Sequence, residues 1–133
     1  MGKYFTIAEL CASDTARERG IDNTPPPVVK VSLETLISQC LDPIREAWGK
    51  PIRVNSGFRC PVLNRDVGGS VSSQHTRGEA ADITAGDEKK NAKLLRMIID
   101  RGFEFDQLID ERGCRWLHIS YAAGRNRRQF LRL

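Results

Sequence analysis

Several features are scarce in this sequence of 133 residues, and each absence excludes a class of protein. Apolar runs are short, and none reaches the roughly 18 residues that a membrane-spanning helix needs. The first residues, from Met1 to Thr6, lack the apolar stretch and cleavage site of a secretory signal. This predicts synthesis in the cytoplasm without a signal peptide. No repeat or low-complexity tract is present, so residues 1–133 are expected to form a single domain.

Cysteines are few and widely separated, and they form no Cys-x-x-Cys pair, so a cysteine-based zinc finger is not expected. The four are Cys11, Cys40, Cys60 and Cys114. We expect reduced thiols in a protein made in the cytoplasm, with two disulfides as the alternative after export.

Positive charge is in modest excess, with 21 Lys and Arg against 17 Asp and Glu, a net charge of +4. Much of the excess lies in the last nine residues, at Arg125, Arg127, Arg128 and Arg132. This pattern predicts a solvated terminal face, with attraction to an anionic polymer as the alternative. Phe130 is the one aromatic residue among these arginines, which is not the interleaving of a single-strand binding platform, so a nucleic-acid partner is not expected.

Helical signals dominate the first part of the chain. Thr6 can cap a short helix over 7–11, and residues 13–15 and 20–27, which include three prolines, predict an exposed connection. Ser32 can cap a long helix that ends at Gly49, with a kink at Pro43.

Strand signals dominate the remainder. Short strands are predicted over 51–55 and 79–84, and two more over 105–111 and 115–121 form a hairpin. An amphipathic helix over 90–101 interrupts them. The fold class is therefore α+β, a small antiparallel sheet with helices packed on one side.

The sequence contains only two histidines, His75 and His118. His75 follows a Ser/Gly-rich loop and precedes a strand of small residues that contains Asp82. A buried carboxylate is costly unless it is paired or bound to a metal, so Asp82 is either a metal ligand or the partner of an arginine. Strand alternation places His118 on the same face as Trp116 and Ser120. Two imidazoles and one carboxylate form a ligand set that catalytic zinc uses.

These residues carry a resemblance to a known family. The pattern Ser73-x-His75-x-x-Gly78-x-Ala80-x-Asp82, followed by Trp116-x-His118, resembles the zinc D-Ala-D-Ala carboxypeptidases and phage endolysins of peptidase family M15. The hedgehog signalling domain has a similar metal arrangement. An upstream Ser56-Gly57-Phe58-Arg59 segment, followed by Asn64, resembles a second motif of the family.

The resemblance implies one zinc ion held by His75, Asp82 and His118. It also implies that Arg59 polarises the scissile carbonyl, where a charge-assisted donor contributes most, although a salt bridge is the alternative for this side chain. Ser73 would bind the substrate backbone or shape its loop.

The chain departs from the family at the general base, because many members carry an acid where this sequence has Arg115. If the hairpin turns at Arg112-Gly113, Gln107 pairs with His118 and shares its face with Glu111. Glu111 is then the first candidate for the base, and Asp110, Asp106 or no base are the alternatives. Gln107 could hydrogen-bond to a metal ligand or to the substrate, and Trp116 would line the substrate site.

The function implied by the resemblance is a zinc metallopeptidase that cleaves stem peptides of bacterial peptidoglycan. The bond is either the terminal D-Ala-D-Ala bond or an internal L-Ala-D-Glu or cross-link bond. The alternative is a zinc-containing module that binds wall peptides without cutting them. A monomeric lysis enzyme, released by a holin or delivered with a phage particle, would fit the predicted lack of a signal.

Overall fold

In the computed structural model, which describes residues 2–133, helices cover one face of a five-stranded sheet. The helices are α1 (Ile7–Cys11), α2 (Asp14–Arg19), α3 (Pro27–Leu36), α4 (Asp42–Trp48), α5 (Pro61–Asp66) and α6 (Glu88–Asp100). A π-helical turn (Ile37–Leu41) joins α3 to α4, and a 3-10 turn (Gln74–Arg77) precedes β2. The strands are β1 (Arg53–Ser56), β2 (Ala80–Thr84), β3 (Gln107–Glu111), β4 (Trp116–Ser120) and β5 (Gln129–Arg132).

The strand order is β1-β2-β4-β3-β5, and every pairing is antiparallel except that of β5 with β3. The predicted α+β class is confirmed. The sheet is mixed rather than purely antiparallel, because β5 adds a parallel edge strand that the sequence analysis did not predict. This strand is short, mostly exposed and flanked by arginines, so it lacks the alternating apolar pattern of a half-buried strand.

The N-terminal region contains more helix than expected. Residues 14–19 form α2, so the exposed connection predicted over 13–15 is wrong at residues 14 and 15. The Ser13 hydroxyl accepts a hydrogen bond from the Ala16 amide, and Gly20 ends the helix with a φ of 65°. Helix α3 starts at Pro27 rather than after Ser32, since proline is favoured in the first turn, where its missing N–H is not needed.

The kink predicted at Pro43 corresponds to the π-helical turn directly before it. The Asp42 amide donates to the carbonyl of Ile37, five residues back. Pro43 has no amide hydrogen for a normal helical bond, and wide turns of this kind accompany such breaks. The helix then ends at Gly49, which adopts a φ of 74°, as the sequence predicted.

The two faces of the sheet differ in character. One face contributes buried apolar side chains to a hydrophobic cluster shared with α3, α4 and α6; its sheet members are Ala81, Ile83, Leu108, Leu117 and Ile119. The opposite face carries the polar residues that alternate with them. All four cysteines are free, and in residues 2–133 no helix has the length and apolar character needed to cross a bilayer.

Candidate functional site

Two candidate ligands lie side by side on the polar face of the sheet. Asp82 in β2 and His118 in β4 are direct cross-strand partners. The Oδ1 atom of Asp82 is 3.1 Å from His118 Nδ1. Directly opposed residues in a sheet have neighbouring side chains, so the strand register itself brings this pair together.

The third candidate, His75, reaches the pair from the 3-10 turn that precedes β2. Its Nε2 atom lies 3.3 Å from Asp82 Oδ1, and its ring centroid is 5.1 Å from that of His118. The Ser73 hydroxyl accepts a hydrogen bond from the His75 amide and thereby shapes the turn. Gly78 then closes the turn with a φ of 72°, a conformation that glycine adopts readily.

The tautomer of His75 follows from its hydrogen bond to Gly57. His75 Nδ1 is 2.7 Å from the Gly57 carbonyl oxygen, and a carbonyl can only accept, so Nδ1 carries the proton. In the neutral ring Nε2 therefore presents a lone pair to the Asp82 carboxylate. Two acceptors at this distance need a proton or a cation between them. Metal-bound histidines are typically oriented by a hydrogen bond of this type at the other ring nitrogen.

The donor set thus fits a metal ion. One ligand atom from each of His75, Asp82 and His118 lies within 4.8 Å of the other two. Burial favours the neutral form of Asp82, but the hydrogen bond to His118 and the interaction with His75 when its ring is protonated outweigh it and hold the pKa of the carboxyl well below its usual range. The carboxylate is therefore charged and ready to bind a cation.

All eight residues predicted for the site line one cavity of about 710 Å³. They are Arg59, Ser73, His75, Asp82, Gln107, Glu111, Trp116 and His118. The strands supply five of them, and the loops before β2 supply the other three.

Arg59 has no salt-bridge partner among the ion pairs found in residues 2–133. Its Nε atom is buried there without a hydrogen-bond partner. Burial lowers the pKa of the guanidinium, and the negative charge of Asp82 partly offsets this effect. The guanidinium thus has donors available for a ligand in the cavity.

Glu111 lines the cavity, and the register that places it there differs from the predicted one. Ile109, not Gln107, pairs with His118. The loop between β3 and β4 has four residues, 112–115, whereas the prediction had the hairpin turning at Arg112-Gly113. The shift is two residues, so the predicted face is unchanged. Burial raises the pKa of Glu111, and the charge of Asp82 raises it further.

The alternative bases have other partners. The Asp110 carboxylate accepts a hydrogen bond from the Cys114 amide and lies outside the cavity lining. Asp106 lines the cavity, but it is buried against Arg127, which donates from Nε and a terminal nitrogen at 2.8 and 2.9 Å. The Arg127 hydrogen bonds hold the pKa of Asp106 below its usual range.

Gln107 and Trp116 also contact neighbours outside the metal group. The Gln107 side-chain amide donates to Gln129 at 2.8 Å, so β5 orients it. The Arg112 guanidinium lies 5.9 Å from the centre of the Trp116 ring. Both side chains line the cavity, while their predicted roles towards a metal ligand or a substrate stay predictions.

A network of buried carboxylates beside the cavity was missed by the sequence analysis. Glu79 binds Arg77 at 3.1 Å and Arg125 at 3.2 Å, and Gln74 bridges Glu79 to Asp106. The partners are 46 residues apart in the case of Glu79 and Arg125. The excess of arginine near the C-terminus was the only sign of this network in the sequence, and composition does not tell which carboxylate each arginine binds.

Gly57 is expected to tolerate no side chain, since a Cβ atom there would meet the Leu10 carbonyl oxygen at 2.2 Å. Gly57→Ala should lower the free energy of unfolding by about 1–3 kcal/mol, as overpacked sites do, because backbone must move. Urea denaturation would measure the loss. Gly20→Ala is the matched control. A Cβ atom added at Gly20 meets nothing within 4 Å, so this variant has only the backbone strain of an alanine at a φ of 65°. Equal losses in the two variants would contradict the steric explanation.

The fold and the site together define a class of small α+β proteins with a His–Asp–His group on the polar face of a sheet whose ligand atoms could hold a metal ion. The chain matches the family described as peptidase M15 over residues 3–120, and it belongs to that family. The zinc D-Ala-D-Ala carboxypeptidase of Streptomyces albus G is similar to it, with 49% identity over 49 residues. The matched region is 36% of this chain and only 19% of that protein. The resemblance predicted from the sequence motifs is confirmed.

Proposed function

We propose that this protein is a zinc metallopeptidase in which His75, Asp82 and His118 hold the ion. The observation that carries the proposal is the convergence of three ligand atoms within 4.8 Å around a charged carboxylate. Membership in the peptidase M15 family and the name of the Streptomyces relative support zinc as the metal.

A zinc ion in such a site supplies a Lewis acid and makes a bound water acidic enough to act near neutral pH. The chain's own residues provide the rest. Glu111 lines the same cavity as the three proposed ligands, and we assign to it the role of accepting the proton of the attacking water. Arg59 donates to the carbonyl oxygen as negative charge develops on it.

The proposed substrates are stem peptides of bacterial peptidoglycan. The name of the similar Streptomyces enzyme supports this class, and so does an open cavity lined by both polar side chains and the Trp116 indole. The reaction is cleavage of a D-Ala-D-Ala terminus or of an internal L-Ala-D-Glu or cross-link bond.

The deciding experiment combines metal analysis with digestion of purified peptidoglycan and of soluble stem peptides. We expect one zinc ion per chain and hydrolysis that a chelator abolishes and zinc restores. Mass spectrometry of the new ends distinguishes the carboxypeptidase from the endopeptidase. Bound zinc without hydrolysis of any wall peptide would instead support the non-catalytic binding module, which the exposed Arg115 at the family's usual acid position favours.

Arg59→Ala is expected to lower kcat by about 10²–10³-fold, the usual effect of losing a donor to a developing oxyanion. Zinc content should remain unchanged, because Arg59 is not one of the ligands. Steady-state kinetics on a stem peptide that the wild type hydrolyses would measure the effect. Arg53→Ala, an exposed residue of β1 outside the cavity lining, is the control. A normal kcat in Arg59→Ala would remove this residue from the mechanism.

A further inference from the structure

The segment Gly57–Arg59 touches the proposed site at two points. The Gly57 carbonyl accepts the hydrogen bond that sets the tautomer of His75, at 2.7 Å. In return, the Arg59 amide donates to the His75 carbonyl at 3.1 Å. The orientation of a proposed metal ligand and the placement of the proposed carbonyl-binding arginine therefore depend on the same three residues.

The outer side of this segment is held by the side chain of Asn23. Its amide nitrogen donates to the Phe58 carbonyl at 3.0 Å and to the Cys11 carbonyl at 2.9 Å. Its Oδ1 accepts from the Cys60 amide at 2.8 Å. Asn23 thus bonds to the backbone on both sides of Arg59 and ties it to the end of α1.

The backbone around Asn23 is itself restrained. The next residue, Thr24, donates from its amide and its hydroxyl to the Asp22 carboxylate, at 3.0 and 2.6 Å, and prolines follow from Pro25. These bonds and the fixed φ of proline restrict the backbone around Asn23. A second tie, from the Phe58 amide to the Leu10 carbonyl at 2.7 Å, holds the segment but does not reach beyond Arg59.

We propose that Asn23 is a positioning residue that fixes the backbone of Arg59 and thereby aims its guanidinium at the substrate carbonyl. The inference rests on the proposed function for the role of Arg59, while the contacts of Asn23 are independent of it. Asn23 does not line the cavity and makes no hydrogen bond to a proposed metal ligand, so its proposed effect passes through the segment that it holds.

The chemistry of these contacts requires an amide. Two N–H donors and one carbonyl acceptor match two carbonyls and one amide hydrogen. Aspartate would keep the acceptor for Cys60 but would place an oxygen against the Cys11 and Phe58 carbonyls. Alanine would release all three partners, and the segment could then shift. A displacement of about 1 Å can cost roughly a hundredfold in rate even when the altered residue is remote from the reacting atoms.

The kinetic test is a double-mutant cycle on the zinc-loaded full chain. Asn23→Ala should lower kcat by about 10–100-fold with little change in KM or in zinc content. Asn23→Asp should lower kcat at least as much as Asn23→Ala does. Combined with Arg59→Ala, Asn23→Ala should cause little further loss, because both changes remove the same contribution.

Asn91→Ala is the matched control. Asn91 is a buried asparagine with a comparable set of bonds, to Thr84, Ala85 and the β3–β4 loop, and none to the Gly57–Arg59 segment. Its effect on kcat, whatever its size, should multiply with that of Arg59→Ala. If the loss of kcat in Asn23→Ala also multiplied with that of Arg59→Ala, the proposal would be overturned.

A structural readout separates this proposal from the proposed function. In Asn23→Ala the Cys60 amide should exchange with solvent faster, and the NMR signal of Arg59 Nε should shift, while the amides of Ala80 and Ser120 stay protected. If the wild type cleaves no wall peptide, the peptidase assignment fails, but this measurement still decides the role of Asn23. Unchanged Cys60 exchange and an unchanged Arg59 signal would refute it.

Discussion

Asp82→Asn is expected to abolish zinc binding and to lower hydrolysis by about a thousandfold, because zinc contributes several kcal/mol of transition-state stabilisation. Asp82 is the carboxylate that both histidines approach, at 3.3 and 3.1 Å. Asparagine retains the shape but loses the negative charge. Its amide can donate to the lone pair of His75, so the metal-free variant should fold normally.

The measurement for Asp82→Asn is thermal unfolding with and without zinc. A ligand at a thousand times its Kd stabilises the native state by about 4 kcal/mol, so the wild type should show a clear rise in Tm. The variant should show none. Asp110→Asn, on the opposite face of the sheet, is the control and should keep the full zinc response. A zinc response in Asp82→Asn equal to that of the wild type would exclude Asp82 as a ligand.

Glu111→Gln is expected to lower kcat by about 10²–10⁴-fold, the range for loss of a general base, while zinc remains bound. Glutamine matches glutamate in size and can still hydrogen-bond, but it cannot accept the proton of the attacking water. Burial and the charge of Asp82 raise the pKa of Glu111 in the metal-free protein, and a bound cation acts in the opposite direction.

Kinetics and zinc titration on the same preparation of Glu111→Gln would test the assignment. Asp110→Asn and Asp106→Asn examine the two alternatives. Asp106→Asn should reduce stability, since it removes the charge that Arg127 binds, but should leave a measurable kcat. If Asp106→Asn abolished hydrolysis with zinc retained and Glu111→Gln did not, the base would be Asp106.

The strands that carry the proposed ligands were predictable, and so was the face on which their side chains lie. Strand alternation around His118 and Asp82 depends only on local sequence, and the observed β2 and β4 agree with it. The face of Glu111 was also correct despite a two-residue error in register. Side-chain direction repeats every second residue, so a shift by two preserves it.

Other features depend on contacts between distant residues and could not be read from the sequence. Strand β5 forms because β3 offers it an unpaired edge, with Leu108 opposite Phe130. The three bonds of Asn23 join positions up to 37 residues apart. Helix α2 has local signals at its ends, since Ser13 is a good cap and Gly20 a good terminator, but Ala16 is its only buried side chain, so no apolar pattern marks it in the sequence.

The register that pairs Asp82 with His118 has a consequence for engineering. These two side chains are mounted on neighbouring inner strands, whereas much of the remaining cavity wall comes from the segments 69–74 and 125–127. Exchanging those segments between homologues would replace much of the cavity wall and leave Asp82 and His118, two of the three proposed ligands, in place. Libraries confined to these segments would test how far the substrate preference of the proposed peptidase depends on the cavity wall alone.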